Sequence, residues 1–184
     1  ITVFDALKKS DYDPKGKFSL ERFISAHSIM ISFEGVPAIY FNSLFGTSND
    51  KAKYIITGNN RDLNRYRWNH KNIAAKLKNT KSKQSIFYKS ITDLLQIRRK
   101  QKAFHPNGLR SGINMGPKIF CFKRQSIDKK QIIICITNLS SKTQSKKINY
   151  KFLKWKNLLD FKNNHILDKM IKLKPFQTVW LSNV

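Results

Sequence analysis

The pattern of apolar and polar residues changes character near residue 105. Before that point, apolar positions recur at helical spacing, which predicts one helix from Ser19 to about Phe33 and another from Lys83 to about Lys102. A shorter helix is predicted over 69–78. The first two helices are separated by an apolar run at 38–41, of the length expected of a buried strand, directly after the turn residues Gly35-Val36-Pro37. The first part of the chain therefore combines helices with a buried strand.

The second part of the chain carries strand signals. The turn cluster His105-Pro106-Asn107-Gly108 lies where the helical pattern gives way to a strand pattern. We predict a domain boundary there, with one domain at 1–106 and the other at 107–184. The strands predicted beyond it are 118–124, 131–138, 146–153, 155–159, 170–173 and 178–181. Short strands separated by turns are typical of a small antiparallel sheet or sandwich.

A long polar segment follows the predicted strand at 38–41 and ends in the ion- and amide-rich run Asn59-Asn60-Arg61-Asp62-Leu63-Asn64-Arg65. A buried strand that leads into a charged loop is how α/β barrels present their binding groups. Long loops of this kind inside compact domains are usually functional or disordered. The residues at the end of this loop favour a function.

Composition gives the chain a strongly basic character, with 36 Lys and Arg against 11 Asp and Glu and a net charge of +25. Such a charge suggests a nucleic-acid partner. The lysines are nevertheless spread over the whole chain, and no zinc spacing, aromatic RNA-binding pattern or basic helix leading into heptads is present. We therefore expect no specific nucleic-acid partner.

The compartment and the extent of the chain are also constrained by composition. No apolar run approaches the roughly 20 residues that cross a bilayer, so no membrane partner is expected. Cys121 and Cys135 lie in apolar contexts without metal-ligand spacing, which favours buried free thiols in a reducing cytoplasm. The chain opens on the strand-like residues 1–4 without a start methionine or leader, and we expect it to be cut from something longer. The oligomeric state is not predicted.

Residues capable of catalysis are sparse in this sequence. It contains no confident carboxylate pair, Ser/His/Asp set, glycine-rich phosphate loop or metal cluster, so no cofactor and no metal are expected. His27 has no second ligand at helical spacing and is interpreted as a core histidine. Glu34 would stand at the wrong end of its strand for a barrel active site, whereas Asp50 and Asp62 stand on the right loop without a second carboxyl. By residues alone, this is a binding segment whose catalytic groups are missing.

The motifs nevertheless resemble a known family. The strand Gly35-Val36-Pro37-Ala38-Ile39-Tyr40 resembles the last barrel strand of glycoside hydrolase family 13, the α-amylase superfamily. The residues Asn49-Asp50, Thr57-Gly58 and Asn60-Arg61-Asp62-Leu63-Asn64-Arg65 resemble its sucrose phosphorylase and glucosylglycerate phosphorylase branch more specifically. The resemblance continues through 97–107 and 174–181. Amylases proper usually have a Gly-x-Glu turn after this strand, where this chain has Asn42-Ser43-Leu44.

The resemblance implies an α/β fold, namely the C-terminal portion of a (β/α)8 TIM barrel over 1–106 followed by a small antiparallel β domain. It implies retaining transfer of a glucosyl unit from sucrose, or from a similar small α-glucoside such as glucosylglycerate, to inorganic phosphate. The catalytic aspartate, glutamate and His-Asp pair of the family belong to earlier barrel strands. This piece alone is therefore expected to be inactive, with a small sugar and phosphate as the partners of the parent enzyme.

One site residue carries over from the family, the first arginine of the Arg-Asp-x-Asn-Arg loop, which is Arg61. The resemblance implies that it contacts the bound glucosyl unit, a role that suits the fixed fork of guanidinium donors. The alternative is that Arg61 braces the loop by pairing with Asp62 or Asp50, and Asn64 and Arg65 are expected to hold the shape of the loop. At the level of the whole protein, a hydrolase of the same superfamily and a non-catalytic sugar-binding or basic interaction module both remain open.

Overall fold

The computed structural model describes residues 1–148, 155–160 and 170–184, and the backbone of 165–166. Its helices are α1 (Val3–Leu7), α2 (Ser19–Ser32), α3 (Phe41–Leu44), α4 (Lys51–Thr57), α5 (His70–Lys78) and α6 (Lys83–Arg99), with 3₁₀ turns at Asn60–Asn64 and Lys102–Phe104. Its strands are β1 (Leu109–Gly112), β2 (Ile119–Gln125), β3 (Ile132–Asn138), β4 (Gln144–Lys147), β5 (Trp155–Asn157), β6 (His165–Ile166), β7 (Met170–Leu173) and β8 (Thr178–Ser182).

These elements form two compact units. The helical unit contains Ile1–Ile24 and Ala38–Asp93, and the sheet unit contains Ser25–Pro37 and Leu94–Val184. The division falls within the two longest helices, α2 and α6. The boundary between the two units therefore reflects which residues pack together and does not coincide with the ends of helices.

The helical unit has a core of three phenylalanines. The ring centroids of Phe23 and Phe87 are 4.5 Å apart, and Phe4 lies edge-on to both at 5.8 Å and 5.4 Å. The ammonium of Lys83 stands 3.7 Å from the centroid of the Phe4 ring, a cation–π contact that covers this cluster. Gly46 lies against the ring of Phe87 with a positive φ of 54°. Only glycine combines that backbone conformation with so close an approach.

A buried ion pair fixes the connection into α2. The carboxylate of Asp13 accepts hydrogen bonds from the backbone N–H groups of Phe18 and Lys17, both at 2.9 Å, and from the guanidinium of Arg22 at 2.8 Å. Arg22 also donates to the carbonyl oxygens of Leu7 and Lys8. The bond from Phe18, followed by that from Arg22, holds the pKa of Asp13 below its ordinary value. The ionised carboxylate therefore organises the turn between α1 and α2.

In the sheet unit, six strands pair in the order β1-β2-β3-β8-β5-β6, and β4 pairs with β7 in a second sheet. Every described strand pair is antiparallel. β3 is buried almost throughout, because both of its faces are covered. On one face of β3, Ile134 and Ile136 belong to an apolar core that also contains Ile171 and Leu173 of β7. This double burial explains the unbroken β-branched run in the sequence of β3.

Two buried arginines shape the end of α2. Arg98 donates to the carbonyl oxygens of Ile31, Phe33 (3.0 Å) and Gly35 (2.7 Å). Arg124, which is 0% exposed, donates at 2.8 Å to the carbonyl oxygen of Ser32. The last carbonyls of a helix lack intrahelical donors, and the negative end of the helix dipole favours cations there. The two guanidinium groups therefore supply hydrogen-bond donors to the carbonyl oxygens at the C-terminal end of α2 and in the turn that follows it. In that turn Gly35 has a φ of 80°.

Several predicted elements need correction. The predicted strand at 38–41 does not form, because Ala38–Tyr40 pairs with none of the described residues and Phe41 begins α3. An extended segment becomes a strand only where a neighbour completes the hydrogen-bond ladder. The long helix ends at Arg99 instead of Lys102. The opening residues, described as strand-like from the sequence, instead lead into α1 at Val3, and β1 and β6 were not predicted. The strand predicted over 146–153 begins earlier, at Gln144, and residues 149–153 lie outside the described residues.

The other predicted elements are present. The helix α2, the short helix α5 with its cap at Asn69, and strands β2, β3, β5, β7 and β8 all lie within a few residues of the predicted bounds. The described fold is a mixture of helices and antiparallel sheet. Assignment of 1–106 to a barrel, and the domain boundary at 106, stay predictions.

Candidate functional site

The segment from Asp50 to Arg65, which we call the arginine loop, contains two short helical turns instead of the irregular loop predicted from the sequence. The carboxylate of Asp50 caps α4 by accepting a hydrogen bond from the N–H of Lys53 at 3.0 Å. Gly58 ends α4 in the left-handed conformation, with a φ of 65°, and donates to the carbonyl oxygen of Tyr54 at 2.8 Å. The N–H of Asp50 donates to the carbonyl oxygen of Leu63 at 2.8 Å and closes the loop on itself.

Asp62 is the ionic centre of the arginine loop. Its carboxylate lies 2.7 Å from the ammonium of Lys53 and accepts a hydrogen bond from the hydroxyl of Thr57 at 2.8 Å. The bond from Lys53, and after it the bond from Thr57, lowers the pKa of Asp62 below its ordinary value. Both partners are on α4, so Asp62 ties the 3₁₀ turn to the preceding helix.

Arg61 stands on the 3₁₀ turn Asn60–Asn64 and is exposed. Its backbone N–H donates to the side chain of Asn59 at 3.0 Å. Among the described residues, no carboxylate pairs with its guanidinium, because Asp62 is engaged by Lys53 and Asp50 caps α4. The bracing arrangement considered from the sequence is therefore not the one adopted. Contact between Arg61 and a sugar stays a prediction.

Asn42 anchors the end of the arginine loop and was not recognised as a site residue from the sequence. It is 4% exposed, and its amide nitrogen donates to the carbonyl oxygens of Asn64 at 3.2 Å and Tyr66 at 3.0 Å. Its position directly after an apolar run is the signal that could have identified it, since a buried asparagine needs partners. Asn64 thus contributes to the loop through its backbone, in line with the shape-holding role expected for it.

A cavity of about 270 Å³ opens in the helical unit beside Asn42. Residues 1–4, Tyr40, Ser43, Thr47 and Asn64 complete its lining. Its volume is slightly below the range of about 300–1,000 Å³ typical of small-molecule sites. Hydroxyl and amide groups dominate the polar part of the lining, which is suited to a neutral hydroxylated ligand. Arg61 is not among the residues that line this cavity.

The described part of the chain contains neither a metal-binding cluster nor a reactive thiol. No group of three or more His, Cys, Asp or Glu side chains is arranged to hold a metal ion there. Burial raises the pKa of the Cys121 thiol to about 12 and raises that of Cys135 as well, so both remain protonated and unreactive. His27 is 4% exposed, which places it in the core. In the same described residues, no helix combines the length and apolarity that a membrane crossing requires.

The comparison with curated proteins gives a consistent picture. The chain is 29% identical over 182 residues to the glucosylglycerate phosphorylase of Escherichia coli, covering 98% of this chain and 31% of that protein. It is 33% identical over 107 residues to the glucosylglycerate phosphorylase of Allomeiothermus silvanus, covering 58% of this chain and 19% of that protein. The chain thus spans about a third of these relatives' length or less. It matches no protein-family model.

Solved structures show the same fold. AmyP in complex with maltose superposes with a TM-score of 0.71 at 16% identity, over 93% of this chain and 36% of AmyP. The trehalulose synthase MutB from Pseudomonas mesoacidophila superposes with a TM-score of 0.60 at 11% identity, over 87% of this chain and 38% of MutB. With the sequence relatives, these matches confirm the predicted resemblance to a sucrose or glucosylglycerate phosphorylase-like C-terminal part in glycoside hydrolase family 13.

Proposed function

We propose that this chain is the C-terminal part of a retaining sugar phosphorylase, which transfers a glucosyl unit from sucrose or a similar small α-glucoside to inorganic phosphate. Glucosylglycerate is one such donor. The observation that carries the proposal is the similarity to glucosylglycerate phosphorylase over 182 residues, which includes the arginine loop. Residues 1–106 are then the end of the barrel and 107–184 the C-terminal β domain. The enzyme acts in the cytoplasm on small molecules.

The proposed role of this chain is to hold one end of the glucosyl unit, and Arg61 performs it. The arginine loop is fixed by the cap at Asp50, the Lys53–Asp62 pair and the amide of Asn42, so the loop does not depend on the Arg61 guanidinium for its shape. A guanidinium presents five donors in a rigid plane and remains charged at any working pH. It can therefore bind sugar hydroxyls together with a catalytic carboxylate.

The catalytic groups are proposed to come from the other part of the enzyme. Retaining transfer needs a nucleophilic carboxylate and an acid/base carboxyl about 5–5.5 Å apart. Asp50 and Asp62 are both engaged within the arginine loop and do not provide such a pair. This piece alone is then inactive, while phosphate takes the glucosyl unit from the covalent intermediate in the complete enzyme.

A phosphate-dependence experiment tests this function. The complete polypeptide encoded by the reading frame that contains this chain is incubated with sucrose or glucosylglycerate, with and without inorganic phosphate. We expect glucose 1-phosphate to form only when phosphate is present. Free glucose released at the same rate with and without phosphate would indicate a hydrolase of the same superfamily. Binding of the sugar without either product would indicate a non-catalytic module.

A further inference from the structure

The sheet unit contains a cavity of about 820 Å³. We call it the basic pocket. Residues from three segments, 36–37, 95–106 and 126–128, contribute its lining. The volume lies within the range of about 300–1,000 Å³ that is typical of sites for small molecules and cofactors. We propose that the basic pocket binds a small phosphate monoester that carries a ring, such as a sugar phosphate or a mononucleotide.

A buried arginine, Arg98, places a positive charge beside the basic pocket. Arg98 is 8% exposed and its guanidinium donates to backbone carbonyl oxygens at the end of α2. No carboxylate pairs with it among the residues that the structure describes. Carbonyl groups satisfy the hydrogen bonds of a guanidinium without cancelling its net charge. A buried cation is screened poorly by solvent, so the pocket beside it is favourable for an anion.

Exposed cations stand around the same cavity. Arg99 ends α6, and Lys100 and Lys102 lie just beyond it, where all three are exposed and can contact a bound anion from solvent. The pocket's one lining carboxylate, that of Asp128, is already engaged. It accepts a hydrogen bond from the hydroxyl of Ser126 at 2.5 Å and lies 3.8 Å from the ammonium of Lys102. The excess of cations over carboxylates is suited to a phosphate dianion.

His105 adds a directional donor. Its Nδ1 accepts a hydrogen bond from the backbone N–H of Asn107 at 3.1 Å. The neutral imidazole must then carry its proton on Nε2, because a nitrogen that accepts a hydrogen bond has no proton of its own. His105 lines the basic pocket, and its Nε2–H is therefore a donor for a phosphate or sugar oxygen.

The remaining lining is apolar and determines what the phosphate is attached to. Pro37, Leu95, Phe104 and Ile127 line the cavity, and Ile127 is 62% exposed. A ring that lies against these side chains removes apolar surface from water, which stabilises the complex. Inorganic phosphate would leave that surface uncovered. A long nucleic acid would instead use a stripe of cations, and the lysines of this chain outside the pocket are spread over its whole length.

Titration calorimetry on the complete polypeptide encoded by the reading frame that contains this chain tests the proposal. The probes are glucose 6-phosphate, adenosine 5′-monophosphate, inorganic phosphate, glucose and a single-stranded oligonucleotide. We expect saturable binding of at least one of the two monoesters that depends on Arg99 and Lys100, whereas any binding of inorganic phosphate or glucose at the proposed sugar site should be the same in the pocket variants. The stronger of the two monoesters identifies a sugar or a nucleoside as the attached ring.

Matched variants distinguish binding at the basic pocket from nonspecific attraction to the net positive charge of the chain. Arg99→Gln with Lys100→Gln should weaken monoester binding about tenfold or more, because two charge-assisted contacts are lost. Lys71→Gln with Lys76→Gln removes the same charge from exposed positions on α5 and should change the affinity less than about twofold. Ile127→Asp, which puts a carboxylate at an exposed position of the pocket, should also abolish binding.

Three results would overturn the proposal: no saturable binding of either monoester, equal losses in the two double variants, or an oligonucleotide that binds more tightly than both monoesters at physiological salt.

Discussion

Arg124 offers a sharp test of how the end of α2 is held. It is fully buried on β2, and its guanidinium donates at 2.8 Å to the carbonyl oxygens of both Ser32 and His105, with a longer contact of 3.4 Å to Gly108. The ammonium of a lysine at this position would keep the charge. It could not, however, reach two carbonyls that a planar fork spans. Arg124→Lys should therefore remove one good hydrogen bond and leave a carbonyl without a donor.

The expected loss follows from those contacts. A hydrogen bond to a charged group contributes roughly 1.5–3 kcal/mol, and a buried acceptor left without a donor costs roughly 1–3 kcal/mol. Because these two terms overlap, we expect Arg124→Lys to lower the free energy of unfolding by about 3 kcal/mol. Arg124→Met loses both good bonds but also removes the cost of burying a charge. The methionine variant should therefore be within about 1 kcal/mol of the lysine variant.

Urea unfolding, followed by circular dichroism and by tryptophan fluorescence, measures the change in stability at constant slope. Lys123→Met, at the neighbouring partly exposed position of β2, is the matched control and should change stability by less than about 0.5 kcal/mol. If Arg124→Lys were as stable as the unaltered chain to within about 0.5 kcal/mol, the guanidinium fork would not be what holds the end of α2.

Two further changes probe the helical unit. Gly46→Ala would place a Cβ 2.1 Å from the ring of Phe87 at a φ of 54°, so we expect a loss of about 2–4 kcal/mol in urea unfolding. Gly58→Ala, where a Cβ meets nothing within 4 Å, should cost only about 1 kcal/mol of backbone strain, and equal losses would contradict this reading. The pKa of Asp13 is lowered by the N–H of Phe18 and by the ion pair with α2. Its contribution should be complete above the ordinary aspartate pKa of about 3.9 and lost as the pH falls through the lowered pKa. Asp13→Asn should thus flatten the acid limb of stability against pH, and an unchanged limb would exclude this role.

Much of the secondary structure could be predicted because it depends on local patterns. The helix α5 begins after Asn69, whose side chain accepts hydrogen bonds from two backbone N–H groups, and this is a local signal. The strand predicted at 38–41, which does not form, had no local signal of this kind to support it. Its apolar pattern indicates burial, but a strand exists only through partners elsewhere in the fold, and none of the described residues provides one. β1 was missed because its four residues are all exposed and show no alternation.

The candidate site was predicted less completely than the fold. The motif identified the arginine loop, but it left open whether Asp62 pairs with Arg61. Lys53 takes that carboxylate because α4, which was not predicted, turns Lys53 toward the 3₁₀ turn. Asn42 was missed for a similar reason, since its partners are backbone carbonyls more than 20 positions away. The basic pocket joins segments from 36 to 128, so its existence could not be read from the basic run at the end of α6 alone.

Phosphorolysis by the complete enzyme carrying Arg61→Lys tests the central claim most directly. If the guanidinium holds the glucosyl unit, loss of its fork should lower kcat/KM by about 10- to 100-fold, with part of the loss in kcat, because contacts to the ring tighten toward the transition state. The melting temperature should barely change, since the side chain is exposed and the arginine loop is fixed by other residues. Arg67→Lys, the same change at another exposed position, should leave kcat/KM within about twofold. A large fall in melting temperature with near-normal kcat/KM for Arg61→Lys would contradict the substrate contact.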